Sequence, residues 1–177
     1  MGEKDFLKLI LQVDFDAKIH FSRVRIKPGM PFVFATCVYK ERLKYVFGLP
    51  GNPVSSFVIC SLFVLPALRL MCQATDPPRL QHHRNSDGLF DLLKLNDAIR
   101  VRLADPGAFA KFASDGRPEF VRCLIRFEDG PEASVPTAHL INEQQHSSKL
   151  LSIQGANALV LIDPDSLSSS VCKAVLL

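Results

Sequence analysis

Polar and apolar residues follow two different periods in the first quarter of the chain. The apolar residues from Lys4 to Val13 share one helical stripe, whereas side chains from Lys18 to Ile26 would alternate between the two faces of a strand. Two further apolar segments, Pro31 to Val38 and Leu43 to Gly48, are separated by a short polar tip. This pattern predicts one helix followed by three strands, the last two paired as a hairpin.

A long apolar segment follows the hairpin and predicts a helix from Pro53 to Cys72. Asn52 is a favourable N-cap and Pro53 suits the first helical position, while Pro66 predicts a kink. Apolar residues lie nearly all round this helix, so we expect neighbouring elements to cover most of its sides. Its serines and Arg69 favour a buried core helix over a membrane span.

The second half of the chain predicts short strands separated by glycine, proline and serine. Polar residues around Pro77 and Pro78 mark the best boundary, dividing the chain into domains 1–75 and 76–177. We expect an α/β first part and a small antiparallel barrel or sandwich after it. The predicted strands of the second part are Ala98 to Leu103, Phe120 to Phe127, Asn157 to Ile162 and Val171 to Leu177.

Composition narrows the class of protein. The chain has 177 residues, of which 47% are hydrophobic and 22% charged, which excludes disorder for most of its length. A net charge of +3 and a pI near 8.6 are too mild for a nucleic-acid-binding surface. The five cysteines are odd in number and never spaced C-x-x-C, which argues against a disulfide framework and favours a reducing, cytoplasmic location.

The loop before the long helix carries the strongest chemical signal. A helix N-terminus presents unpaired N–H groups and a partial positive charge, so it can bind a phosphate or another oxyanion. Gly48 and Gly51 would let a ligand approach the backbone, and Ser55 could add a hydroxyl. From these residues alone, an ordinary helix start is the favoured interpretation and an anion-binding loop is the alternative.

The same segment, Phe47 to Ser55 (FGLPGNPVS), resembles the signature of the MoeA and gephyrin E-domain family, the molybdopterin molybdenumtransferases. Further similar segments follow the family's order, and the resemblance covers nearly the whole chain apart from Leu80 to Asn96. These segments are MGEKDF at the start, FSRVRIKPG, FVLPALR, RPEFVR, and SSKLLS with the following ANA.

This resemblance implies a fold and an activity. The fold would be part of a molybdopterin-binding (MogA-like) α/β subdomain followed by a small C-terminal β-barrel subdomain. The family inserts molybdate into adenylylated molybdopterin (molybdopterin-AMP) with Mg2+, and its members form homodimers. Because the matching upstream segments are missing, we expect this chain to be a C-terminal fragment that is inactive on its own.

The resemblance also assigns residues. Asp5 matches the acid linked to magnesium and catalysis, and Lys27 matches a basic active-site residue; locally, they would be a capping charge and a solvated strand end. Arg117 and Ser147 match the barrel residues that hold molybdate, although locally they look like a turn residue and a loop hydroxyl. The loop residues matched to binding of the pterin substrate and its phosphates are Gly48, Pro50, Gly51, Asn52, Pro53 and Ser55.

Several positions depart from the family's pattern, most of them in the barrel half. Met30 replaces a second lysine, Val121 a histidine, and Gln154 and Gly155 an arginine and a serine. Glu143 replaces a glycine and should repel an anion at the predicted molybdate site. The barrel half of the predicted site therefore lacks several residues of the family's pattern.

A second hypothesis follows from these departures. The chain would be a gephyrin-like scaffold that has lost catalysis and binds protein partners through the barrel subdomain. The surface around Phe120 and Pro164 would be the place of binding.

Overall fold

The first half of the molecule is a helix on a three-stranded sheet. The computed structural model describes residues 6–73, 96–112, 114–127, 135–163 and 169–177. Within this part of the chain, helix α1 spans Leu7–Val13. An antiparallel sheet in the order β1-β2-β3 follows, built from β1 (Lys18–Phe21), β2 (Val33–Tyr39) and β3 (Arg42–Gly48).

The predicted hairpin is confirmed. Strands β2 and β3 pair in continuous register from Val33↔Gly48 to Tyr39↔Arg42. Lys40 and Glu41 close the turn with φ values of 51° and 60°, the left-handed geometry that matches the twist of a tight hairpin. Leu11 of α1 packs against the inward face of this sheet.

The strand predicted from Lys18 to Ile26 was too long, because β1 ends at Phe21. Its register with β2 shifts between Ile19 and Phe21, and the chain then leaves the sheet. Val24 N–H donates to the Met30 carbonyl at 3.0 Å, which closes a compact loop. This loop carries Lys27 away from the sheet and towards the second half of the molecule.

Helix α2 is continuous but changes its winding. It consists of an α-helical part (Pro53–Ile59), a π-helical turn (Cys60–Val64) and a second α-helical part (Leu65–Gln73). Pro66 has no N–H to donate to the Leu62 carbonyl, and the π turn lies directly before it. The Asn96 side chain donates to that carbonyl instead, at 3.0 Å. The structure thus shows a change of winding next to Pro66, and a kink of the helix axis there stays a prediction.

The expectation that neighbours cover most of α2 holds for only half of it. Val54, Val58, Ile59 and Leu62 are fully buried, whereas the C-terminal part exposes its leucines. By length and composition Pro53–Cys72 is apolar enough to cross a membrane, with a mean hydropathy of 2.0 and 33% of its most apolar stretch buried. The exposed leucines are Leu65, Leu68 and Leu70.

The second half is a closed five-stranded barrel in the order β4-β6-β5-β7-β8. All pairs in it are antiparallel except β4 with β6, which is parallel, so the expectation of a wholly antiparallel barrel was wrong. The strands are β4 (Ile99–Leu103), β5 (Glu119–Arg126), β6 (Thr137–Leu140), β7 (Ala158–Ile162) and β8 (Val171–Leu176).

Alternation along β5 separates two cores. Val121, Cys123 and Ile125 point into the barrel, and burial raises the pKa of the Cys123 thiol to about 12. Phe120 points outwards, yet it is fully buried because the N-terminal half of α2 packs on this side of the barrel. The barrel and α2 therefore share a hydrophobic core.

The short helix α3 (Pro106–Phe109) lies beside the barrel and buries Phe109 in its interior. The Asp105 side chain caps it by accepting from the N–H groups of Gly107 and Ala108. The predicted fold class, an α/β part followed by a small β-barrel, is confirmed. The predicted boundary between 75 and 76 lies outside the described residues and stays a prediction.

Candidate functional site

Two of the predicted basic residues meet on one carboxylate at the junction of the two halves. The Asp115 Oδ2 atom accepts from Lys27 Nζ at 3.0 Å and from Arg117 Nε at 2.9 Å and Nη2 at 2.5 Å. Glu119 approaches Lys27 Nζ at 4.0 Å. We call these four side chains, Lys27, Asp115, Arg117 and Glu119, the junction cluster.

Backbone hydrogen bonds hold Lys27 at this place. Its N–H donates to the Pro118 carbonyl at 2.9 Å, and its own carbonyl accepts from Phe120 N–H at 2.7 Å. The segment from Lys27 thus bridges to the start of β5. Gly29 makes the approach possible, since its φ is +119° and a Cβ there would lie 2.6 Å from Ile59.

The neighbouring loops add two more contacts across the junction. Arg25 donates to the Gly116 carbonyl at 3.2 Å, and Arg117 Nη1 lies 3.5 Å from the Met30 sulfur. Met30 stands where the family usually has a lysine, and here it contacts the guanidinium without adding a charge. The junction cluster therefore holds two cations and two carboxylates.

The electrostatics of the cluster follow from these contacts. Hydrogen bonds from Arg117 and then from Lys27 hold the pKa of Asp115 well below its usual range. The Asp115 carboxylate in turn raises the pKa of Arg117. About 30% of the Lys27 and Arg117 side chains remains exposed, so both cations are accessible to a ligand from solvent.

A second pair of predicted residues joins the loop before α2 to the barrel. Asn52 Nδ2 donates to Ser147 Oγ at 3.3 Å, and Val54 N–H donates to the Ser147 carbonyl at 3.1 Å. The predicted N-cap position of Asn52 and the position of Pro53 at the helix start are confirmed, although the Asn52 side chain makes no capping hydrogen bond. One of the free N–H groups expected at the helix start is therefore already paired with the barrel loop.

The other loop residues divide into exposed and packed positions. Gly51, Asn52 and Pro53 are exposed, and no described residue lies within 4 Å of a Cβ built on Gly51. Gly48 serves packing instead, because a Cβ there would lie 2.5 Å from Leu7 of α1. Two further residues of the loop region, Pro50 and Ser55, are buried.

Arg122 is a charged residue that sequence reasoning did not single out. It is fully buried, donates to Ser152 Oγ at 3.3 Å, and has an Nε atom that finds no hydrogen-bond partner among the described residues. Burial lowers the pKa of its guanidinium. Its position between the inward-facing Val121 and Cys123 was the available signal, since strand alternation turns Arg122 to the outer side of the barrel.

The Gln145 side chain fixes the loop that carries Ser147 onto β5. Gln145 Oε1 accepts from Arg122 N–H at 2.7 Å, and Nε2 donates to the Arg122 carbonyl at 2.7 Å. The amide thus takes the place of a neighbouring strand. Ser152 donates to the His146 carbonyl at 3.3 Å, which holds the other end of the same loop.

Two of the departures from the family's pattern have a local explanation. Val121 lies inside the barrel core, where an apolar side chain fits, and so it does not face the junction cluster. Glu143 is 86% exposed and lies 3.9 Å from Lys111, so solvent and this cation weaken the repulsion expected from its charge. These two departures therefore have little effect on the ability of the site to bind an anion.

The remaining predictions concern the partner-binding surface, Asp5 and the metal site. Phe120 is fully buried, so the proposed partner-binding surface around it was wrong; Pro164 lies outside the described residues. Asp5 also lies outside them. Among the described residues, no group of three or more His, Cys, Asp or Glu side chains could hold a metal ion.

Comparison with known proteins identifies relatives for both halves. Residues 1–70 match a family described as "Probable molybdopterin binding domain". The chain is 38% identical over 176 residues to "Molybdenum cofactor synthesis protein cinnamon" of Drosophila melanogaster, covering 98% of this chain and 24% of that protein. It is 29% identical over 175 residues to "Gephyrin" of Dictyostelium discoideum, covering 92% of this chain and 21% of that protein.

A bacterial relative matches a shorter region. Over 68 residues the chain is 38% identical to "Molybdopterin molybdenumtransferase" of Haemophilus influenzae, which covers 38% of this chain and 15% of that protein. The chain thus spans about a quarter or less of the length of these relatives.

Proposed function

The chain belongs to the gephyrin and MoeA family of molybdenum cofactor synthesis proteins, and on this premise we propose that it supplies part of the oxyanion-binding site of a molybdopterin molybdenumtransferase. The reaction would insert molybdate into adenylylated molybdopterin. One observation carries the proposal: Lys27 and Arg117, from the two halves of the chain, converge on a single carboxylate. Two accessible cations that meet on one carboxylate oxygen suit a tetrahedral oxyanion.

The residues would act by binding and orienting. The Arg117 guanidinium and the Lys27 ammonium would donate to molybdate oxygens and offset their charge. The exposed loop from Gly51 to Pro53 lies on the other contact between the halves, where it would orient the pterin substrate and its phosphates, and the Ser147 hydroxyl on that contact would be a further donor to molybdate. Because backbone hydrogen bonds join Lys27 to the start of β5, the Lys27 backbone needs little reorganisation when the ligand arrives.

Magnesium belongs to the same proposal. In the junction cluster, Asp115 accepts a hydrogen bond from Lys27, and Glu119 lies 4.0 Å from the same ammonium group. These carboxylates are therefore engaged with cations and do not offer the free oxygen donors that Mg2+ prefers. We assign the metal to Asp5 instead, where it would neutralise negative charge on the substrate. A homodimer and protein partners at the barrel are further proposals, and a cytoplasmic location is supported by five free cysteines.

A chimera tests the proposal. This chain would replace the 176 matching residues of cinnamon, and the product would be expressed in cells that lack the transferase. We expect the chimera to restore molybdoenzyme activity, and Lys27→Met to reduce that activity at least tenfold. Lys44→Met is the matched control, because Lys44 is exposed on β3. A folded chimera without activity, or one that tolerates Lys27→Met, would count against the proposal.

A further inference from the structure

Lys27 and Arg117, which we propose as donors to the oxyanion, already donate hydrogen bonds to a carboxylate of the same chain. Asp115 Oδ2 accepts from Lys27 Nζ and from two nitrogens of Arg117, and Oδ1 accepts from Arg117 N–H at 3.2 Å. A carboxylate and a tetrahedral oxyanion both present negatively charged oxygens to a guanidinium. Asp115 therefore stands where a ligand oxygen would make the same contacts.

The side chain is free to leave this position without rearranging the core. Asp115 lies before Gly116 in a loop, and 38% of its side chain is exposed. Gly116 has a φ of +74°, and within the part of the chain that the structure describes nothing lies within 4 Å of a Cβ built on it. Rotation of the Asp115 side chain into solvent would release Lys27 and Arg117 together.

We propose that Asp115 is a built-in competitor of the oxyanion: its carboxylate pairs Lys27 with Arg117 in the ligand-free protein and is displaced when the ligand binds. This inference rests on the proposed function, since it concerns the same two cations. The formal charge of the junction cluster is zero while Asp115 is engaged, because its two cations face two carboxylates. A dianion entering the cluster must therefore exchange with Asp115 rather than add to it.

The pairing of Lys27 and Arg117 through Asp115 also affects the affinity for the ligand. Two unpaired cations near each other repel and spread apart, which would cost free energy when a ligand brings them together. Asp115 keeps Lys27 and Arg117 close in the absence of ligand, and it lowers the affinity for the ligand in return. The site would thus load only where the oxyanion concentration is high enough to compete with the carboxylate.

Direct binding to the intact 177-residue chain tests the inference, with molybdate and AMP measured separately by equilibrium dialysis. Asp115→Asn keeps the size of the side chain but removes its charge, and we expect about tenfold tighter binding of the oxyanion that uses this site. If Asp115→Asn tightens the binding of molybdate only, the ligand of this site is the metal oxyanion. If it tightens the binding of AMP only, the ligand is the phosphate of the nucleotide. Asp105→Asn is the charge-matched control, because asparagine also caps α3.

The outcomes separate this inference from the proposed function. If Lys27→Met weakens binding but Asp115→Asn does not tighten it, the oxyanion site stands and the competitor is wrong. If Lys27→Met has no effect either, the ligand binds elsewhere and both ideas fail. If Asp115→Asn does not fold, the 13C signal of the Asp115 carboxyl in the unmodified chain decides: it should shift on saturation with the oxyanion, and an unchanged signal would overturn the inference.

Discussion

The barrel and the three-stranded sheet bury their apolar residues in different ways. Every residue of β7 is buried: alternate residues face the interior of the closed barrel, which leaves no strand edge, and Leu159 and Leu161 face outwards into the core shared with α2. In contrast, β3 lies at the edge of its sheet and its first four residues are exposed, with Leu43 and Tyr45 among them. Closure lets a small number of short strands form a complete core, whereas an open sheet depends on what packs against its faces.

The candidate site lies where these two regions meet. Lys27 comes from the loop that leaves the sheet after β1, and Arg117 comes from the turn that enters β5. The barrel supplies a rigid base, and the loop adds the second cation to it by backbone pairing. The comparison therefore predicts that stability resides mainly in the barrel, while ligand binding depends on the junction.

The largest expected effect is a difference between matched truncations in the two regions. Ile162→Ala removes a fully buried side chain from the barrel and should cost about 2–5 kcal/mol in the free energy of unfolding. Leu43→Ala removes a side chain that is 55% exposed on β3 and should change that free energy by less than about 0.5 kcal/mol. Urea unfolding followed by circular dichroism measures both, and similar losses would break the comparison.

A smaller effect is expected at the contact between β5 and the loop that carries Ser147. Gln145→Ala removes two hydrogen bonds of 2.7 Å to the Arg122 backbone and leaves both groups without their partner. We expect a loss of about 1–3 kcal/mol in the free energy of unfolding. The neighbouring Gln144→Ala is the control, because its side chain is exposed. Equal stability of the two variants would show that water replaces the amide at no cost.

Most elements of both regions were predicted from the sequence, and the four strands expected in the barrel lie within one residue of β4, β5, β7 and β8. The hairpin and α2 depend on local pattern, namely a polar tip between apolar runs and a proline at the first helical position, and both were placed within one or two residues. Strand β6 (Thr137–Leu140) was missed because it has only four residues and one buried side chain. Its parallel pairing with β4 depends on closure of the whole barrel, which no local pattern encodes.

The candidate site shows the same limit. The resemblance pointed to Lys27, Arg117, Asn52 and Ser147, and the structure brings them together in two pairs. Asp115 was missed because its role depends on Lys27, which is distant in sequence. Phe120 was misplaced at the surface for a similar reason: alternation turns it out of the barrel, and only the tertiary packing of α2 buries it.

The smallest expected effect concerns the ionisation of Asp115, which reports directly on the junction. Because its pKa is lowered in the folded chain, the contribution of its ion pairs to stability is complete above the ordinary value of 3.8 and is lost as the pH falls through the lower folded pKa. A 13C titration of the Asp115 carboxyl should therefore give a midpoint well below 3.8. Since Arg117 is the main cause, Arg117→Met should raise that midpoint towards the ordinary value, whereas Arg102→Met, at an exposed position of β4, should leave it unchanged. A midpoint that does not respond to Arg117→Met would mean that the guanidinium does not pair with this carboxylate.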